Sequence, residues 1–288
     1  MLPDYIIWKM TETEEELRSQ LQHPELFADK VSNLKPGSKR MLEVLTVRRA
    51  LKELFYGVEQ QVLYTPDGAP YLAEGPYISI SHTMGYAAVI TAYRPVSIDI
   101  ERRGTRVQRV IHQFLKDEEL FILQLSAGTA NLSVDPTIPA SSLHPSATVI
   151  NPSVSGINPS VPVIGTSSTN IDPSVSDINP SSTSINPSAT GIASQADTQS
   201  DAQSDAQSDA QADTQADVLY SLALHLAWSA KETAYKLLGH DYYDLKRLTT
   251  VRHIDWASHL LILGVEGREA PLPIHFDYHP DFVLCWAE

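Results

Sequence analysis

The sequence predicts an α+β fold made of two similar halves, residues 1–125 and 218–288, with a low-complexity insert at 126–217 between them. Three observations predict it. Short strand-like runs alternate with amphipathic helical stretches on both sides of the insert. The insert contains no Lys, Arg, Glu, Phe, Tyr or Trp and is dominated by Ser, Ala, Pro, Asp, Asn, Thr and Gln. Cutting it out rejoins a helix ending near Leu125 to one starting near Val218.

The elements follow in order. Tyr5 to Trp8 reads as a first strand. Thr13 with Glu16 three residues on is a capping-box signature, opening a helix through Leu21. Lys35-Pro36-Gly37-Ser38 makes a turn. From Lys39 to Phe55, the residues Met41, Leu42, Leu45, Ala50, Leu51 and Leu54 trace the apolar side of a long helix. Its other side carries Lys39, Arg40, Arg48, Arg49 and Lys52, either a solvated face or a phosphate-binding one. Val62 to Tyr64, Pro66-Asp67-Gly68 and Tyr71-Leu72 read as a hairpin. Strand-like runs follow at Tyr77 to Ser81, Tyr86 to Ala92 and Val96 to Glu101, then a helical stretch from Arg106 to Leu125. Beyond the insert, one helix covers Val218 to Leu238 and stops at Gly239. Four strands close the chain: Leu248 to Ile254, Leu260 to Val265, Ile274 to Tyr278 and Phe282 to Trp286.

Within the insert Leu143, Ile150, Ile157, Ile164, Ile171, Ile178, Ile185 and Ile192 recur every seven residues. A proline in nearly every unit forbids the continuous helix that a heptad usually signals. Asp-Ala-Gln-Ser then repeats from Asp201 to Ser208. So little bulky apolar surface cannot offset the entropy of ordering, and a disordered loop is expected. The formal net charge of −14 comes from 21 basic and 35 acidic residues, and nine of the acids are aspartates of the insert. Without those nine, 26 acids face 21 bases, a balance that argues against nonspecific nucleic-acid binding. A single cysteine, Cys285, excludes an intrachain disulfide and fits a reducing compartment. There is no signal-peptide pattern, and no uncharged apolar run reaches the ~20 residues of a membrane span. A cytoplasmic monomer without membrane or nucleic-acid partners is the expectation.

Three stretches carry chemistry. In Ile98-Asp99-Ile100-Glu101, strand alternation sends both carboxylates to one face, where a bound cation relieves their repulsion. Hard oxygen ligands without a Cys or His cluster favour Mg²⁺ over zinc. Ile78-Ser79-Ile80-Ser81-His82 ends a strand in a hydroxyl and an imidazole able to meet a phosphate. In Trp228-Ser229-Ala230-Lys231-Glu232-Thr233-Ala234-Tyr235-Lys236, helical spacing aligns Trp228, Glu232 and Lys236 in one row. Arg102, Arg103, Arg106 and Arg109 crowd behind the carboxylate pair and suit phosphate or an acidic partner. Each stretch taken singly has an ordinary structural reading as well.

In this order, Ser-His, Ile-Asp-Ile-Glu and Trp-Ser-x-Lys-Glu-x-x-x-Lys resemble the 4′-phosphopantetheinyl transferases of the Sfp-like branch, over essentially the whole chain outside the insert. The resemblance implies a pseudo-dimer of two α+β halves with coenzyme A in the cleft between them. It assigns Asp99 and Glu101 to Mg²⁺, with Glu232 as third metal ligand or as base for the attacking hydroxyl. It assigns Lys236, Lys231, Ser81 and His82 to coenzyme A phosphates, and Arg40 and Arg48 to the nucleotide end. The reaction implied moves phosphopantetheine from coenzyme A to a serine of an acyl or peptidyl carrier protein, releasing 3′,5′-ADP. Two departures stand out: Ala69 replaces the turn lysine of many relatives, and Val31 to Lys39 align poorly. Two other readings remain open. One is a noncatalytic coenzyme A or carrier-binding module with a repeat-rich tether. The other is a metal-dependent phosphodiesterase acting without a carrier.

Overall fold

The computed structural model describes residues 3–129, 147–150 and 200–288, with the backbone alone at 129, 147–150, 200–214 and 240. The fold is α+β with sheets that are antiparallel apart from one pair. In the first sheet, β1 (Asp4–Lys9) pairs with β5 (Tyr86–Ala92), and β5 with β4 (Tyr77–Thr83). A fourth strand, β7 (Ala147–Ile150), lies parallel on the free edge of β1. The second sheet runs in the order β6 (Ser97–Arg102), β11 (Phe282–Ala287), β10 (Leu272–Tyr278), β9 (Leu260–Val265) and β8 (Thr249–Asp255). A short hairpin joins β2 (Leu63–Tyr64) to β3 (Pro70–Tyr71).

Alternation explains how these sheets are covered. Tyr5 and Ile7 on one face of β1 join Ala88, Ile90, Ile98, Ile100, Phe282, Leu284 and Trp286 in a core shared by the two sheets. Ile6 and Trp8 on the other face pack with Val47, Ala50 and Leu51 of α3 (Lys39–Leu54). That helix begins where Ser38 accepts a hydrogen bond from the Met41 amide, 3.2 Å away. The far side of the second sheet is covered by α4 (Arg106–Phe114), α5 (Asp117–Thr129) and, from Leu219 on, α6 (Ser200–Leu238). Strand β6 lies in residues 1–125, yet its ladder is with β11, Asp99 standing opposite Cys285. From that position Ile98 and Ile100, both buried, join the shared core.

Three boundaries differ from the sequence reading. The stretch 106–125 is two helices, broken where Leu115 turns extended (φ −110°, ψ 147°) so that Phe114 and Leu115 are both buried. Helix α5 continues past Ser126 to Thr129, with Ser126 and Ala127 buried and the Trp256 indole donating to the Ser126 carbonyl at 3.0 Å. Helix α6 starts at Ser200, inside the expected disordered loop. Asp-Ala-Gln-Ser repeats contain no Pro or Gly, and alanine and glutamine are good helix formers. The β-branched run Thr148-Val149-Ile150 likewise forms β7. The rest of the expected loop, 130–146 and 151–199, lies outside the described residues. Among the described residues no helix is long and apolar enough to cross a membrane.

Candidate active site

Strand β6 and helix α6 bring the carboxylates of the sequence motifs into one neighbourhood. Ile98 and Ile100 point into the shared core, which turns Asp99 and Glu101 away from it. Helix α6 lies against that side, and Ser229 donates to the Asp99 carbonyl at 3.2 Å. Two turns along, Lys236 Nζ sits 2.8 Å from Asp99 Oδ1 and 3.1 Å from the Ile98 carbonyl. Ser81 of β4 donates to the same Asp99 oxygen at 2.9 Å. The other one, Asp99 Oδ2, is buried with no hydrogen-bond partner.

The electrostatics tie the three acids together. Burial pushes the Glu101 carboxyl up to about 7; Asp99 and Glu232 add to the rise, while Arg106 and a hydrogen bond from Thr83 oppose it. Glu232 is also raised, by burial first and then by Asp99, against the pull of Lys236. Buried carboxylates that repel one another hold excess negative charge which a cation would relieve. Their side chains nonetheless stand apart: among the described residues, no three His, Cys, Asp or Glu side chains are gathered closely enough to hold a metal ion.

Beside this acidic group lies a basic concavity of about 340 Å³, lined by Arg40, Glu43, Arg48, Ser81, His82 and Lys236 among others. Arg48 is only 4% exposed, and none of its three guanidinium nitrogens has a hydrogen-bond partner. A buried, unpaired guanidinium lacks the anionic partner that a charge in low dielectric requires. Arg40 Nη1 lies 2.7 Å from His82 Nε2 and 3.1 Å from Glu43. A second concavity of about 530 Å³ lies alongside, and Gly68, Pro70, Ile80 and Lys236 line both.

Of the residues the sequence singled out, Arg40, Arg48, Ser81, His82 and Lys236 line one concavity, and Asp99, Glu101 and Glu232 form the acidic neighbourhood next to it. Lys231 does not join them. Its ammonium is fully buried on the opposite side of α6, 2.8 Å from Glu119 and from the Phe114 carbonyl and 3.2 Å from the Thr249 carbonyl. One residue along a helix turns the side chain by about 100°, so Lys231 and Glu232 face different neighbours. Trp228 also turns inward, its ring 4.9 Å from that of Phe114. The arginine cluster divides: Arg103 donates to the His279 carbonyl at 3.3 Å, while Arg106 acts on Glu101.

Sequence reasoning singled out Ser81 of β4 but missed Glu43 and the other two hydroxyls of that strand, Ser79 and Thr83. Ser79 accepts from the Ile98 amide at 3.2 Å and Thr83 from the Arg102 amide at 3.1 Å, so Ser79, Ser81 and Thr83 stitch β4 to β6 beside the acids. Their spacing of two, which puts all three on one side of a strand, was the available signal. Glu43 lies four residues from Lys39 and three from Arg40, the spacing at which helical ion pairs meet. Set against known proteins, the chain matches no protein-family model and no curated protein.

Proposed function

We propose that the chain is a Mg²⁺-dependent 4′-phosphopantetheinyl transferase that modifies a serine of an acyl or peptidyl carrier protein. The observation that carries this reading is the pairing of two sites across Lys236. A basic concavity holding the orphaned Arg48 adjoins three mutually repelling carboxylates, and Lys236 lines the first while touching Asp99 of the second. A polyanion bound across a metal needs both. The finer architecture proposed is a pseudo-dimer of related halves, with coenzyme A in the cleft.

The donor chemistry suits Mg²⁺, and the side chains would have to draw together to hold it. Asp99 Oδ2 is a buried carboxylate oxygen without a partner, and the neighbouring ligand would be Glu101 with its hard oxygens, Glu232 being left as the base. Bound there, Mg²⁺ would neutralise pyrophosphate charge. The protein groups do the rest. Arg48, Arg40 and His82 hold the nucleotide phosphates, and Lys236, fixed by Asp99 and the Ile98 carbonyl, faces the pyrophosphate. Glu232, whose carboxyl is raised, accepts the proton of the carrier serine. The serine oxygen bonds to the phosphorus that bears pantetheine, and the bond from that phosphorus to 3′,5′-ADP breaks.

The test is the mass of an apo carrier incubated with coenzyme A and Mg²⁺. The expected result is a gain of about 340 Da, the phosphopantetheine group, with wild type and none with Glu101→Ala. Coenzyme A binding without any gain would favour the noncatalytic module. Release of 3′,5′-ADP in the absence of carrier would favour the phosphodiesterase.

A further inference from the structure

Glu43 is the one acid among the residues that line the basic concavity, and it is 5% exposed. A lone carboxylate in an anion site weakens binding unless it organises the cations around it. Its contacts show what it organises. Oε2 lies 3.1 Å from Arg40 Nη1, and Oε1 lies 3.3 Å from Lys39 Nζ and 3.4 Å from His82 Nδ1. Arg40 Nη1 closes the triangle on His82 Nε2 at 2.7 Å. Arginine can only donate, so Nε2 must accept, and the ring proton must sit on Nδ1, facing Glu43. With both nitrogens engaged in this way, His82 has no proton to offer a phosphate.

We propose that Arg40, His82 and Glu43 form a latch opened by a phosphate group: the anion draws Arg40 off His82 Nε2, that nitrogen takes one proton from solvent, and Glu43 retains the proton on Nδ1. Binding thereby converts an internally satisfied triangle into two cations aimed at the ligand, with Glu43 as the positioning residue. The groups facing His82 agree with this. Burial chiefly holds the imidazole below its ordinary pKa; Glu43 of α3 pulls it up, while Arg40 and Lys39 of α3 and Lys236 of α6 push it down. On the neighbouring strand the residue in register is Ala87, which carries no charge. An anion between Arg40 and His82 cancels the push from the cations and leaves the pull of Glu43 and of the phosphate.

The test is calorimetric binding at pH 7 in buffers of different ionisation enthalpy, with coenzyme A and, separately, with inorganic pyrophosphate. Phosphate monoesters have a second pKa near 6 and exchange protons of their own, so the reading is the difference between wild type and His82→Gln. Wild type should take up roughly 0.5–1 proton more per anion, and its affinity should rise toward low pH. Glu43→Gln should cut that uptake by about half or more. Equal proton counts in wild type and His82→Gln, or no binding of either anion, overturn the latch. Should His82→Gln fail to fold, NMR titration of the wild-type His82 ring decides: a pKa unmoved by pyrophosphate overturns the proposal, and a raised one supports it. The coenzyme A arm rests on the transferase reading, and the pyrophosphate arm does not. Uptake with pyrophosphate but no coenzyme A binding upholds the latch and removes the transferase; coenzyme A binding without uptake overturns the latch and leaves the transferase to the carrier-mass test.

Discussion

Replacing Lys231 by Met separates a structural role from the ligand role that the family resemblance implies. The ammonium and the Glu119 carboxylate it meets are both fully buried. Lys231 also donates to the Phe114, Leu245 and Thr249 carbonyls, so one side chain ties the end of α4 and the start of β8 to α6. Burial draws its pKa below the ordinary lysine value and Glu119 draws it back. Lys231→Met leaves a buried charge without its partner and takes a donor from the Phe114 and Thr249 carbonyls, while the Leu245 carbonyl keeps the Thr249 hydroxyl. Breaking such a pair from one side costs about 3–5 kcal/mol. Glu119 keeps the Lys116 and Val251 amides, at 2.8 and 2.7 Å, which places the expected loss at the lower end. For a domain of this size that is a fall in Tm of roughly 6–15 °C. Lys231→Met with Glu119→Gln should recover part of it, because no uncompensated charge then remains. Urea unfolding gives the stabilities and calorimetry the coenzyme A affinities. A Lys231→Met protein as stable as wild type but with coenzyme A affinity down tenfold would refute this account and restore Lys231 to the cofactor.

Arg48→Met should raise stability by about 1–3 kcal/mol, because it removes a buried charge whose three nitrogens have no partner. The same change should weaken coenzyme A binding at least about tenfold, so thermal melting and calorimetry must move in opposite directions. Asp277 is 3% exposed, and burial raises its carboxyl from 3.8 to about 7, against a hydrogen bond from the Tyr278 amide. The folded state therefore binds more protons than the unfolded chain between those values, and stability falls as pH rises from about 4 to about 7. Asp277→Asn, which keeps an acceptor for the Tyr278 amide, should remove Asp277's share of that slope and leave the share of Glu101, whose carboxyl is also raised to about 7. Relative to wild type it should gain on the order of 4 kcal/mol between pH 4 and pH 8, read from urea midpoints. Parallel pH profiles would exclude a buried ionising Asp277.

Strand and helix periodicity made most elements legible, since Tyr5 to Trp8, Tyr86 to Ala92 and Phe282 to Trp286 are apolar runs bounded by turns and buried on both faces. The partner of β6 was not legible. Nothing local in Ile98-Asp99-Ile100-Glu101 says that its ladder runs to β11, nearly two hundred residues on, and pairing at that distance is decided by the shared core. Alternation did place the two acids on one face. The three-residue and four-residue spacings put Glu232 and Lys236 in one row, and both act at Asp99. What spacing could not reveal was which neighbour a side chain meets. Lys231 has the composition of a phosphate ligand, but its position on α6 points it at Glu119.

The turn that carries Ala69 shows how the basic charge of the site is distributed. The turn residues lining the second concavity are Thr65, Asp67, Gly68, Ala69 and Pro70, which bring one negative charge and no positive one. Positive charge reaches the two concavities from other elements: Arg40 and Arg48 on α3, and Lys236 on α6. Lys30, on the short helix α2 (Ala28–Val31), stands over the ring of Tyr64 at 3.7 Å, and Tyr64 lines the first concavity. The transferase reading thus has a definite consequence at residue 69. Ala69 is exposed, so a lysine there enters solvent at the cavity mouth and disturbs no packing. Its ammonium would offset Asp67 and add one charge for a bound pyrophosphate, an exposed pairing worth about a three- to fivefold gain in affinity. The gain should fade with added salt, as exposed ion pairs do. If Ala69→Lys left coenzyme A affinity unchanged at low ionic strength, the pyrophosphate would not run past this turn, and the second concavity would have no part in holding the cofactor.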